Sequence, residues 1–387
     1  MFFGSFGDEA AQVAFALRLA DGSPESPAHI SALLAAGLAG GILAGPLAPR
    51  VLAAIGARQV IGAIFLAEAL LIAAASVLNE LWGYLAVSAA LGCLGAMLWS
   101  AVLVALPAVM SSEAALDGAN RVVQTVRNLG YVVGPLLGAA LFALSSGTRG
   151  LLILAALMLL AAPGVLLAQR SLVGPDVGRE TVPGGRKGLD VVGLLRTPRV
   201  ARALAPLIVT VLVTSALNVL LIVRVRSELE LEATTYGAVV AGLSVGLVAG
   251  PLLLAKHAGR FGEPAGASLA AAVIGVAIAG LGVAQTAWQL VVAALVVGIA
   301  NGVQNTLMAG FLMKQVRAEY RPHRMPSYVL ILQSTVFAGF IGAGFIDVTA
   351  AGTALVAVGL VAMGAGTLGA VANWRSTPQP VTRGALP

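Results

Sequence analysis

AGLAGGILAGPL, residues 36–47, returns as AGLSVGLVAGPL at residues 241–252, identical at eight of twelve positions and shifted by 205 residues in a chain of 387. In each copy three glycines recur every four residues: Gly37, Gly41 and Gly45, then Gly242, Gly246 and Gly250. That spacing gathers small residues on one helical face, where a second helix backbone can come close. A proline follows each run (Pro46, Pro251), where the helix is expected to bend or end. A single run is explained by helix packing; two runs at matching places in the two halves point to an internal duplication.

Composition fixes the solvent. Apolar residues make up 59% of the chain and charged residues 10%, and mean hydropathy is +0.95. Soluble domains carry about 25% charged residues, so this chain cannot coat itself against water. Its apolar runs have the length a helix needs to cross a bilayer, and they are apolar on nearly every face, unlike barrel strands. The expectation is an all-α integral membrane protein with twelve transmembrane helices in two six-helix bundles related by a pseudo-two-fold repeat. The spans are expected at 2–20, 29–48, 59–78, 83–107, 123–145, 149–169, 203–224, 235–255, 265–286, 288–312, 326–347 and 352–373.

Charge then orients the spans. The net charge is +6, and the basic residues fall on alternate connections: Arg50 and Arg58, Arg121 and Arg127, the run from Arg170 to Arg202, Lys256 and Arg260, Lys314 to Arg324, Arg375 and Arg383. The other side keeps Arg18, Arg149, Arg224 and Arg226. By the positive-inside rule both termini and the central loop are cytoplasmic; the basic balance is topological and implies no nucleic acid. The stretch SLVGPDVGRETVPGGRKGLD, rich in Gly, Pro and charge, reads as a linker. The expected organisation is a bundle over 1–170, a linker over 171–200, a second bundle over 201–374 and a cytoplasmic tail over 375–387, with a pathway between the bundles. The segment after the linker, VVGLLRTPRVARAL, is expected to lie along the membrane surface.

The sequence now resembles the major facilitator superfamily along essentially its whole length. GPLAPRVLAAIGARQ, residues 45–59, is similar to the family's loop between helices two and three, with Gly45, Leu47, Arg50, Gly56 and Arg58 answering to it; GPLLLAKHAGRFG, beginning at Gly250, is the matching copy. NLGYVVGPLLGAAL, residues 128–141, resembles the fifth-helix pattern of proton-exchanging exporters through Gly130, Gly134, Pro135 and Gly138. ALPAVMSSEAALDGANRVVQTVRNLG and RQVIGAIFLAEALL resemble the drug, siderophore and macrolide exporter branch. Two departures stand out: Pro49 replaces the loop's usual acidic residue, and span four lacks the arginine common in proton-coupled drug exporters. The chain also enters its first span within a few residues of Met1, so that helix is either short or begins upstream of the residue numbered 1, the latter being our expectation.

The resemblance implies a cavity lined by spans one, four, seven and ten. Polar groups there are Gln12, Trp99, Ser100, Thr214, Asn218, Asn301, Gln304 and Asn305. Amides in hydrocarbon need partners, so the last three must face protein or water: either a hydrogen-bonding wall for substrate or bonds that hold span ten in place. Asp8 and Gln12 share a helical face and Glu9 points about 100° away. A charge at mid-bilayer is costly, so Asp8 or Glu9 is the first candidate for proton coupling, with a solvated pair at the cytoplasmic edge as the alternative. Glu68 in span three is a third candidate or a partner of Arg121 or Arg127. Arg127 could instead attract an anionic substrate group. Asp347 is expected to be solvated.

Nothing enzymatic emerges. His29, His257 and His323 form no metal motif, the lone Cys93 can form no intramolecular disulfide, and no phosphate-binding GxxxxGK[ST] loop is present. No cofactor or metal is expected. The implied function is a monomeric secondary transporter in a bacterial cytoplasmic membrane, with a small-molecule substrate, protons and the lipid bilayer as partners. It would export by alternating access with proton antiport, its glycine-rich second and fifth helices sliding at the bundle interface. An importer, and a non-transporting sensor or immunity protein on the same scaffold, are the alternatives.

Overall fold

The structure, a computed structural model, describes residues 2–20, 26–109, 113–172, 190–316 and 320–374. Most of the expected linker (173–189) and the tail (375–387) lie outside these. The described residues are helical, without strands. The elements are α1 (Phe2–Ala20), α2 (Ser26–Ile55), α3 (Ala57–Ala75), α4 (Leu81–Val109), α5 (Glu113–Leu172), α6 (Val191–Leu195), α7 (Pro198–Val223), α8 (Ala233–Leu253), α9 (Ala255–Ala258), α10 (Glu263–Val283), α11 (Ala287–Gln315), α12 (Arg321–Ala343) and α13 (Ala351–Trp374). Among the described residues eight helices are long and apolar enough to span a bilayer, and shorter apolar stretches cover Leu129–Ala143, Thr148–Leu160 and Ser327–Ala343.

The α5 range corrects one boundary and keeps the reading behind it. Two spans were expected at 123–145 and 149–169, whereas helical geometry continues over 60 residues. A straight helix would separate Gly134 from Met158 by about 36 Å. Yet Gly134 lies against Phe6 and Glu9 while Met158 lies against Gly7. The element therefore doubles back between these positions, and its two arms flank α1. The expected amphipathic stretch is two pieces: α6, capped by the Asp190 carboxylate on the Gly193 amide at 2.8 Å, then α7, which begins with Pro198 in its first turn.

The duplication is visible as matched contacts. A Cβ placed on Gly134 would meet the Phe6 carbonyl at 2.9 Å and the Glu9 Cβ at 2.7 Å; on Gly339 it would meet the Leu212 carbonyl and the Ser215 Cβ at 2.7 Å. Likewise Gly92 abuts the Gly37 carbonyl and Gly298 the Leu243 carbonyl. Each pair is related by a shift of 205 or 206 residues. The turns entering α3 and α10 also match. Gly56 (φ 82°) and Gly262 (φ 86°) sit where a side chain would be strained.

These contacts show which helix each glycine face packs against. The α2 stripe faces α4, through Gly40 on the Ala89 backbone and Gly37 on Ser88, and the α8 stripe faces α11, through Gly246 and Gly250 on Leu295 and Ile299. Gly134 and Gly138 face α1. They hold neighbouring helices within one half of the sequence, while α2 and α5 meet the other half. Gly45 departs from the stripe, since a Cβ there would meet nothing within 4 Å. Nor does Pro46 end its helix, which runs to Ile55, whereas α8 stops two residues after Pro251.

Helices of the two halves meet through α5 with α8 and α2 with α12. The Ser31 hydroxyl donates to the Phe340 carbonyl at 2.6 Å, Ser227 to the Ala20 carbonyl at 3.3 Å and Ser244 to the Tyr131 carbonyl at 3.2 Å. Gly237 abuts Ala139. These ties lie at the arginine-poor ends of the helices or near their middles. At that same end a buried Arg224 pairs with Glu228 at 2.6 Å and donates to the Ala284 carbonyl at 3.0 Å. Asp347 is exposed as expected and caps the following turn, accepting from the Thr349 amide and hydroxyl, which holds its carboxyl below the usual range.

Candidate functional site

Two adjoining cavities share Asn218 and Leu243 in their walls; the first lies where the halves face each other, and the second is walled by the C-terminal half. The first, ≈ 260 Å³, is lined by Glu9, Gln12, Asn218, Tyr236 and Phe340 among others. The second, ≈ 300 Å³, is lined by Thr214, Ser215, Asn218, Asn301, Asn305 and Gln333 among others. Helical spacing delivers these groups: Thr214 and Asn218 are one turn apart on α7, as are Asn301 and Asn305 on α11. The Asn305 amide donates to the Asn301 side chain at 3.0 Å, and Thr214 donates to the Thr210 carbonyl at 2.9 Å. A larger hollow, ≈ 330 Å³, between α10 and α11 is walled by aliphatic residues such as Leu254, Leu269 and Val303 and offers no polar recognition.

The eight expected wall residues thus divide. Gln12, Thr214, Asn218, Asn301 and Asn305 line the cavities. Gln304 does not: it is buried, with its amide toward the Thr210 hydroxyl at 3.4 Å, the helix-holding role. Ser100 donates to the Ala96 carbonyl of its own helix at 2.9 Å. Trp99 lies under a guanidinium, with Arg127 4.5 Å from its ring centroid. Four polar participants were missed, Ser215 in the second cavity's wall among them. Gln333 and Tyr236 line the cavities, and Ser88 receives the Gln12 amide at 2.8 Å. Gln333 was open to discovery, since it is an amide inside the apolar run LILQSTVF.

The acidic residues separate as their spacing implied. Glu9 is in the cavity wall and packs against Gly134, while Asp8 faces α4 at Gly95. Asp8 Oδ1 is buried without a hydrogen bond, and Glu68 is 0% exposed with neither carboxyl oxygen bonded. Asp8 is near enough to repel both Glu9 and Glu68 when ionised. The expected pairing of Glu68 with Arg127 is not made, and the Arg121 side chain lies outside the described residues. Instead Arg127 Nε donates to the Tyr131 hydroxyl at 3.1 Å, and its charge lies over the Trp99 and Tyr131 rings. The Arg127 guanidinium and the Glu9 carboxylate attract each other.

The motif residues take structural places. Arg50 is exposed at the end of α2 and Arg58 half-buried in the first turn of α3, flanking the Gly56 turn. Gly130, Gly134, Pro135 and Gly138 are buried along α5, and Gly250 is locked against Ile299. No group of His, Cys, Asp and Glu able to hold a metal occurs among the described residues.

The Major Facilitator Superfamily model matches residues 1–334. The chain belongs to the major facilitator superfamily. A mutant of the peptide transporter POT in complex with alafosfalin superposes with a TM-score of 0.70 at 16% identity, covering 98% of this chain and 95% of that one. The nucleoside transporter NupG superposes with a TM-score of 0.64 at 14% identity, covering 98% of this chain and 100% of that one. At such identities the likeness is one of fold. No curated protein sequence matches the chain. As a major facilitator it is a multi-pass membrane transporter and not an enzyme.

Proposed function

We propose that this transporter exports a small organic molecule across the bacterial cytoplasmic membrane by alternating access, driven by proton antiport. The observation that carries the reading is the cavity between the halves with the Glu9 carboxyl in its wall, adjoined through Asn218 by an amide-lined cavity of the C-terminal half. Twelve spans follow if the two arms of α5 count separately, giving six-helix bundles over 1–170 and 201–374 joined by a cytoplasmic linker over 171–200, with a cytoplasmic tail over 375–387. With the arginine-rich loops in the cytoplasm, the described ties between halves lie outward of the cavities or beside them, which reads as an inward-facing state.

In this reading Gln12, Thr214, Asn218, Asn301 and Asn305 contact substrate, while Gln304, Ser100 and Trp99 support them. Asp8, Glu9 and Glu68 are the coupling candidates, with Glu9 first because it alone lines the cavity. Protonated, Glu9 leaves Arg127 to other partners; ionised, it holds the guanidinium. Gly134, Gly138 and Gly250 keep each bundle rigid enough to rock as a unit, while Gly45, Arg50 and Arg58 belong to the gating loop and Gly130 and Pro135 to the fifth-helix motif. The protein acts as a monomer with no bound cofactor.

The test is proton movement in everted vesicles, followed with a fluorescent pH probe while antibiotics, siderophores, peptides and nucleosides are added in turn. Substrate-dependent proton release, lost in Glu9→Gln, supports antiport. Proton movement in the opposite sense means symport and import. No movement with any compound in wild type, together with no binding, favours a non-transporting scaffold.

A further inference from the structure

Arg127 on α5 is not among the amides that wall the cavities. Arg127 is half-buried, and one nitrogen, Nε, is satisfied by the Tyr131 hydroxyl at 3.1 Å. One face of the guanidinium is taken by Trp99, 4.5 Å from the ring centroid, with Tyr131 at 5.3 Å. Its two terminal nitrogens make no described hydrogen bond and are not sealed from solvent. The charge therefore has a fixed orientation, set by two aromatic rings, and an open donor edge. An arginine fork held this way matches a carboxylate or phosphate in a bidentate pair.

Its setting is polar on the opposing side as well. Tyr131 accepts a hydrogen bond from Ser244 of the other half through its carbonyl, so the cluster sits at the junction of the halves. The groups facing it are Glu9 and Asp8 from α1, Trp99 from α4 and Tyr131 on its own helix. Of these only the carboxylates can compete for the cation, and neither forms a salt bridge with it.

We propose that Arg127 is the anchor for an anionic group of the transported molecule, a carboxylate or phosphate, with Trp99 and Tyr131 presenting aromatic surface beside it. This rests on the transport reading and names its substrate class. The Glu9 carboxylate and the substrate anion then compete for one guanidinium.

The test measures the arginine itself and needs no transport. The full chain, in nanodiscs of phosphatidylcholine, is treated with phenylglyoxal, and modification at Arg127 and at exposed Arg50 is followed by mass spectrometry. Benzoate, inorganic phosphate and benzamide are the probes, benzamide matching benzoate in shape without its charge. Expected are labelling of Arg127, protection by benzoate or phosphate at concentrations roughly tenfold below those at which benzamide has any effect, and stronger protection in Glu9→Gln. Arg50 labelling should not change. Protection by benzoate alone assigns a carboxylate, and by phosphate alone a phosphate. Two results overturn the proposal: Arg127 unlabelled while Arg50 reacts, or Arg127 labelled with benzoate and phosphate no better than benzamide. Either can occur while proton-coupled flux persists, so loss of the anion anchor and loss of the transport reading are distinguishable.

Discussion

Gly45 and Gly250 occupy the same place in the duplicated motif, yet their surroundings predict opposite responses to one added methyl group. At Gly250 a Cβ would lie 2.8 Å from the Ile299 carbonyl carbon and 2.9 Å from its Cα, with the carbonyl oxygen closer still. The 2.8 Å contact is about 0.6 Å short of ordinary van der Waals distance. The neighbour is backbone and cannot rotate away, so α8 and α11 must separate and lose contacts along their shared face. Overpacking of this kind costs about 1–3 kcal/mol. At Gly45 the same Cβ meets nothing within 4 Å, and alanine is the better helix former by roughly 0.5–1 kcal/mol. Gly250→Ala should therefore lower the thermal unfolding midpoint of the detergent-solubilised protein by a few degrees. Gly45→Ala should leave it unchanged or raise it slightly. Equal shifts in the two variants would refute the assignment of the α8–α11 contact as the tighter one.

Further outcomes follow from single contacts. Gly262→Ala must adopt a backbone conformation that is essentially restricted to glycine, at a cost of about 1–3 kcal/mol, so its midpoint should fall; an unchanged midpoint contradicts the turn geometry. Ser31→Ala removes the bond to the Phe340 carbonyl, worth about 1 kcal/mol, and should raise thiol labelling of a cysteine placed at the arginine-poor end severalfold; unchanged labelling contradicts a tie at that end. Asp347 is held below its usual range by the Thr349 bonds, so its contribution is present above the ordinary aspartate range and lost as pH falls through the lowered value. The midpoint difference between wild type and Asp347→Ala should therefore vanish in acid and persist at neutral pH.

Much of the fold was legible because a bilayer leaves few solutions: the apolar runs had to be helices, and the glycine runs had to face another backbone. The partner of those glycines was not legible. Small residues at i, i+4 announce a close approach, but nothing in Gly37 or Gly246 says that the approaching helix belongs to the same half. Rotation about the helix axis limited the site in the same way. Gln304 and Asn305 differ by 100°, and the cavity edge falls between them, so one stripe of amides divides into a wall and a strut. Asp8 and Glu9 separated correctly because their difference is that same angle taken at the sequence level. Arg127 misled for a different reason. Charge suggested Glu68, whereas Tyr131 one turn along α5 and Trp99 on α4 supply a cation–π setting that charge counting ignores.

The most direct test of the account is whether the two halves rock. In a Cys93→Ala background, spin-label pairs are placed at the related exposed positions Asn79 and Gln285 at one end, and Ala54 and Arg260 at the other. Distances are then measured by pulsed electron resonance in nanodiscs at several pH values and with substrate. Alternating access predicts two populations at each end that shift in opposite directions, Asn79–Gln285 lengthening as Ala54–Arg260 shortens. One fixed distance at each end under every condition would contradict it.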